Sequence, residues 1–248
     1  MEMNQTVEEN LSKIGSHEAL RNDFYREWMS RSLSIEELEV FARNYGAWVR
    51  SFPNALATLI VTTGDLEAKG EYVRTLYSEM GYGNNSKAHS ILLDMFFREL
   101  GKRLGDSARL EWKALERTIE VLPSTAALIA GELDLYRDPE RSTGAQLALE
   151  WQAYTMLRQL YDGARNYLQL WENPDEFHEA CEYFYAHIGA AEKDHKEESL
   201  RALNRFASEG GSLQRVIEGY DRHLELIGKF WNGLHGATFA ARAKQRSA

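Results

Sequence analysis

Cysteine is nearly absent from this chain. Cys181 stands alone, which excludes an intrachain disulfide framework and a thiolate ligand set and suits a reducing cytoplasm. Proline is scarce as well, occurring only at positions 53, 123, 139 and 174, so little interrupts long helices. Few β-branched residues alternate with polar ones as a half-buried strand requires. No apolar run approaches roughly 18 residues, which argues against a membrane-spanning helix. The opening MEMNQTVEEN is polar and acidic where a signal peptide is basic and then apolar. Clustered positive charge is missing too: the net charge is −9 and the one basic run is the tail from Arg242 to Arg246. That balance argues against nucleic acid or anionic membrane as a partner. These absences leave a cytoplasmic, all-α protein as the expectation.

What is present agrees. With 248 residues and 44% hydrophobic content, the chain can bury one substantial core, and no linker or repeat divides it. A single domain over residues 1–248 with about eight to ten helices is expected. Ser16 reads as the cap of a first helix running to about Ser32, with Leu20, Phe24 and Trp28 on its apolar face. Ser34-Ile-Glu-Glu37 is a capping box, and Pro53 is expected to kink or end the helix it opens after Arg50. A helix from about Asp65 to Glu79 precedes the loop Met-Gly-Tyr-Gly-Asn-Asn-Ser, after which Ser86 caps the next. Further helices are expected from about Ser107 to Leu122, from Pro123 through Tyr136, and from Ser142 to Trp171 with any break near Gly163. Pro174 opens another, continuing to about Ser208, and the last runs from Leu213 to about Ala243.

One stretch concentrates potential ligands. EYFYAHIGAAEKDHKEE, from Glu182 to Glu198, holds His187, Glu192 and His195 within a little over two helical turns, with Asp194 as a spare carboxylate. Glu192 and His195 form the E-x-x-H pair that helical di-iron carboxylate sites use. Elsewhere, Glu79 ends one helix and His89 begins the next, so the intervening loop can fold both side chains toward one point. Glu150 sits among Leu147, Leu149, Trp151, Met156 and Leu157, where a lone carboxylate costs several kcal/mol unless it is neutralised, paired or metal-bound. Taken singly, each has an ordinary reading as a core histidine, a solvated helix end or an ion-pair partner. Together they are three carboxylates and three imidazoles without sulfur, a set suited to iron, manganese or zinc.

The order LYSEMGYG, AHSILLDMFFREL, LALEWQAY and YFYAHIGAAEKDH resembles the haem-oxygenase-like di-metal oxidases and oxygenases, related in fold to the thiaminase-like TenA proteins and the pyrroloquinoline quinone synthesis oxidase. The likeness covers roughly Leu76 to Leu200. It implies a single haem-oxygenase-like helical bundle, with Glu79, His89, Glu150, His187, Glu192 and His195 as metal ligands. It also implies two Fe(II) ions, O2 as co-substrate, and oxidation of a small amino acid or carboxylic acid by desaturation, N-oxygenation or carbon-carbon cleavage, often in natural-product pathways. Tyr154, one turn after Glu150, and Tyr185 are expected in the cavity wall, with Arg158 placed to pair with a substrate carboxylate. For these three, ordinary packing or a surface position competes. A homodimer is compatible with the fold.

One departure from the family pattern sets a local expectation. The family spaces its last ligands at +4 and +7 from the first histidine; here Glu192 and His195 stand at +5 and +8 of His187. On a regular helix that puts them about 140° and 80° away. A π-bulge near Gly189-Ala190-Ala191 restores one face; on a regular helix Asp194, at +7, is the better carboxylate. Two other readings stay open: a metal-free enzyme of the same fold, and a helical binding protein with structural histidines.

Overall fold

A computed structural model describes residues 11, 13–188, 199–201, 203 and 212–245 of the chain, with side chains to position 186 and again from 199 to 240. The described residues contain α-helices and 3-10 turns and no strand. The α-helices are α1 (Asp23–Ser30), α2 (Ile35–Thr62), α3 (Leu66–Glu79), α4 (His89–Arg103), α5 (Trp112–Thr118), α6 (Pro123–Tyr136), α7 (Pro139–Ala164), α8 (Pro174–Ala180), α9 (Glu182–Ile188) and α10 (Leu213–Gln245).

Local chemistry sets most boundaries. Ser34 accepts from the Glu37 amide while the Glu37 side chain accepts from the Ser34 amide, completing the expected capping box of α2. Asp65 caps α3 through the Ala68 amide. Proline occupies the first turn of α6, α7 and α8, where its missing N–H has no helical partner to lose.

Several boundaries differ from the sequence expectation, among them the start of α7 at Pro139 rather than Ser142 and a division at Cys181 between α8 and α9. The first helix begins at Asp23, because Asn22 rather than Ser16 caps it through the Tyr25 amide. Ser86 lies inside a 3-10 turn whose cap is Asn84, and α4 starts only at His89. The segment after Ser107 divides into a 3-10 turn and the short α5. Most telling, α2 runs through Pro53 without ending. Its stripe of buried residues from Leu38 to Leu59 supplies burial energy at about 25 cal/mol per Å2, enough to offset one lost hydrogen bond.

Two glycine contacts lock the core. A Cβ on Gly144 of α7 would lie 1.8 Å from the Val216 carbonyl oxygen, and one on Gly219 of α10 would lie 2.0 Å from that of Arg141. The backbones of α7 and α10 therefore touch, side by side, in a way no larger residue permits. Around α10, Trp231 stacks on Phe24 at 5.1 Å and on Tyr45 at 5.8 Å. Trp28 donates its indole N–H to the Leu160 carbonyl at 2.8 Å. Its ring fills the space a Gly163 side chain would need. Beyond Ala164 the chain tightens into a 3-10 turn, close to the expected break.

Two buried titratable groups remain in this core. His223 on α10 is fully buried, neither ring nitrogen has a hydrogen-bond partner among the described residues, and burial pushes its pKa down to about 3. Glu132 on α6 is equally buried, and its pKa is pushed up to about 8.

Gly144→Ala should lower unfolding free energy by about 3 kcal/mol. Gly236→Ala, on exposed helix where an added Cβ meets nothing within 4 Å, should raise it by up to about 1 kcal/mol; denaturant titration checks both. The histidine and the glutamate make opposite pH demands. Neutral His223 contributes stability above pH ~6.5 that is lost as pH falls toward 3, whereas protonated Glu132 contributes stability that is lost as pH rises from ~4.5 to 8. His223→Phe should therefore shift the stability difference between pH 7 and pH 5 by about 2 kcal/mol in favour of pH 5, read from unfolding midpoints at the two pH values.

Candidate functional site

Side chains from five helices line one cavity, with apolar groups making up most of its wall. The α2 stripe Tyr45, Trp48, Val49 and Phe52 forms one wall, at the i, i+3, i+4, i+7 spacing of a single helix face. Opposite it, α7 contributes Leu149, Glu150, Ala153, Met156 and Leu157. Glu79 at the end of α3, His89 at the start of α4, and Tyr183 and Ala186 of α9 complete the polar side.

Glu79 and His89 meet because of the turn between them. Gly81, Tyr82 and Gly83 all have positive φ (79°, 55° and 86°), reversing the chain in three residues. A Cβ at Gly81 would lie 2.3 Å from the Asn84 carbonyl oxygen. The reversal leaves His89 Nδ1 2.9 Å from Glu79 Oε2 with both side chains largely buried.

Glu150 is only 5% exposed, and its orientation is set one turn earlier on the same helix. Gln146 donates its amide N–H to Glu150 Oε1 at 2.6 Å, and the Gln146 oxygen accepts the Tyr136 hydroxyl at 2.6 Å. Tyr136 is fully buried, and desolvation, with Glu132 and Glu150 adding to it, holds its phenol well above the usual range, so the hydroxyl stays a donor. On the aromatic wall, the hydroxyls of Tyr45 and Tyr183 lie 2.8 Å apart.

Glu79, His89 and Glu150 thus face one cavity, as the sequence reading expects. Two carboxylates and an imidazole fit a divalent iron by donor chemistry. Among the described residues no group of three or more His, Cys, Asp or Glu side chains is close enough together to hold a metal ion. The expectations for the His187 side chain, Glu192, His195, Asp194 and the π-bulge at 189–191 fall outside the described residues.

The three expected substrate contacts take other places. Relative to Glu150, the wall residues of α7 lie on one side, at about −20° (Leu157) to −120° (Met156), whereas Tyr154 and Arg158 fall at about +40° and +80°. Tyr154 is half-buried outside the wall and Arg158 is exposed. Tyr185 is turned about 160° from Tyr183 and donates to the Tyr161 hydroxyl, with the His178 ring 3.7 Å from its own. Conversely, the sequence reading passed over the α2 residues that line the cavity and Gln146, which holds Glu150. A Gln four residues before a buried Glu on one helix is the signal that identifies Gln146.

Comparison with known proteins bears on what this cavity does. A family model described as "Iron-containing redox enzyme" matches residues 39–228. The 4-aminobenzoate synthase of Nitrosomonas europaea is 25% identical over 235 residues, spanning 90% of this chain and 88% of that protein. Among solved structures, a CADD-like protein of unknown function from Nostoc punctiforme superposes with a TM-score of 0.71 at 15% identity, covering 94% of this chain and 97% of the other. A TenA homologue from Pseudomonas syringae pv. tomato gives 0.70 at 14% identity, with 93% and 91% covered. A domain with a heme oxygenase-like fold from Shewanella denitrificans gives 0.65 at 14% identity over 100% of this chain and 97% of that one. At these identities the structural likenesses establish the fold alone. No described helix is long and apolar enough to cross a membrane.

Removing the amide that orients Glu150 should weaken iron binding without unfolding the chain. Gln146→Leu is expected to raise the dissociation constant for Fe(II) by about 10- to 100-fold, measured by anaerobic titration against a competing chelator with helicity followed in parallel.

Proposed function

The chain belongs to the iron-containing redox enzyme family with a haem-oxygenase-like fold, and from that premise we propose that it is a non-haem di-iron oxidase or oxygenase acting with O2 on a small amino acid or carboxylic acid. The observation that carries this reading is that Glu79, His89 and Glu150, from α3, α4 and α7, all line one cavity. The likeness to a 4-aminobenzoate synthase favours an aromatic amino acid or benzoate-type molecule as substrate or product. A wall carrying Tyr45, Trp48, Phe52 and Tyr183 agrees, because flat rings stack well on such side chains.

In this reading Glu79, His89 and Glu150 hold iron together with His187, Glu192 and His195, and the carboxylates offset its charge. Iron, when bound, supplies the activation of dioxygen and the oxidising power. The protein's own residues then act as holders and walls. Gln146 and Tyr136 hold Glu150 in orientation through a chain of two hydrogen bonds. The aromatic and aliphatic wall would exclude water from a substrate held there. Tyr45 and Tyr183 hold their phenolic protons between them at the cavity surface, and burial keeps the Tyr45 phenol protonated.

The test is metal content and its loss. Protein reconstituted with Fe(II) without oxygen should retain about two irons per chain, the stoichiometry of helical carboxylate sites, and should develop a transient visible band on exposure to air. His89→Ala and Glu150→Ala should each lose at least half of that iron while helicity is kept. Unchanged iron content in both variants would remove the proposal.

A further inference from the structure

Glu132 takes no part in the chemistry above, and its position needs a reason. It lies on α6, a helix that gives the cavity no wall residue among those described, and it is 0% exposed. Its Oε2 accepts the indole N–H of Trp48 at 3.3 Å, and its Oε1 has no hydrogen-bond partner among the described residues. Trp48 is a wall residue. Its ring meets Tyr45 edge-on at 5.9 Å and Phe230 of α10 at 5.5 Å.

A buried indole N–H needs an acceptor, and a backbone carbonyl is sufficient, as Leu160 is for Trp28. Placing a carboxyl group in hydrocarbon for the same purpose is unfavourable, because its second oxygen is left without a partner among the described residues. Burial raises its pKa to about 8, so at neutral pH it stands as an uncharged acid that still accepts through an oxygen. The tryptophan side-chain torsion beyond Cβ is broad, so the torsion itself selects the ring's rotation weakly and neighbouring contacts decide it. The bond to Glu132 selects one rotation.

We propose that Glu132 is a positioning residue of the cavity: through the Trp48 indole it fixes the rotation of the aromatic wall and hence the width of the slot open to a flat substrate. The substrate part of this rests on the cavity being the substrate site. The positioning part does not, because the Glu132–Trp48 bond stands whether or not iron or substrate binds.

The experiment has two arms on iron-free protein. Ultraviolet resonance Raman, with Trp48→Phe subtracted to isolate Trp48, reads the band that reports indole N–H hydrogen bonding. Equilibrium dialysis with 4-aminobenzoate as the probe reads the slot. Glu132→Leu should move the Trp48 band to its non-bonded position and weaken probe binding by about tenfold or more. Glu132→Gln, which restores a carbonyl acceptor, should return the band and bring binding back to within about threefold of wild type. The proposal is overturned if the Trp48 band is unmoved in folded Glu132→Leu, if binding there stays within about threefold, or if Glu132→Gln is as impaired as Glu132→Leu. Should Glu132→Leu fail to fold, the band in Glu132→Gln decides: a non-bonded position there overturns the assignment. Wild-type protein that ignores the probe counts against the substrate class, and the Raman arm still decides the role of Glu132.

Discussion

A carboxylate inside hydrocarbon must be neutralised, paired or bound, and the interior of this bundle is arranged around that demand. Glu79 meets it with an imidazole brought back by a three-residue reversal of the chain. Glu150 meets it with an amide one turn away, itself held by a phenol from α6. Glu132 meets it by keeping its proton. Only the first two open onto the cavity.

Such support requires helices that cannot slide. Glu150 rides on α7, and α7 is fixed against α10 where Gly144 and Gly219 allow backbone to touch backbone. Close-packed interiors transmit small displacements instead of absorbing them. A shift at the glycine crossing would therefore reach Glu150 two turns further along the same helix. The turn at residues 81–83 plays the corresponding part for Glu79 and His89: left-handed conformations at two glycines, with Tyr82 between them, bring the ends of α3 and α4 together. The stability of the fold and the geometry of the polar groups thus rest on the same few backbone contacts.

Much of this was legible before any coordinates. Capping residues and N1 prolines announce helices by local chemistry, and α2, α3, α6 and α10 begin within a residue or so of where those signals place them. Glu79, His89 and Glu150 were legible because a polar residue inside an apolar pattern has few places to go. What local signals could not supply was the side of a helix on which a cavity opens. Glu150 sits at the edge of the α7 sector facing the cavity, so its neighbours at +3 and +7 line the wall while those at +4 and +8 turn away. Tyr154 and Arg158 were assigned to the wrong side for that reason. Pro53 shows the limit of a local rule in a different way: of the two outcomes expected there, a kink or an end, the helix does not end, since α2 continues to Thr62 with buried residues on both sides of the proline.

Glu132 and Glu150 show how one bundle gives two identical functional groups opposite characters. Both are glutamates on inward faces of neighbouring helices, and both are almost wholly buried. Glu150 receives a hydrogen bond from an amide within a polar chain and borders the cavity. Glu132 receives one long bond from an indole and is otherwise enclosed by hydrocarbon, which favours its neutral form. The difference is not in the residue or in its depth but in the number and direction of dipoles aimed at it. An ionised group bordering a cavity can serve as a cation ligand, whereas an uncharged one behind the wall can only hold another side chain in place. That division of labour follows from environments pushing equivalent carboxyl groups apart, and it makes α6, which never touches the cavity, part of what shapes it.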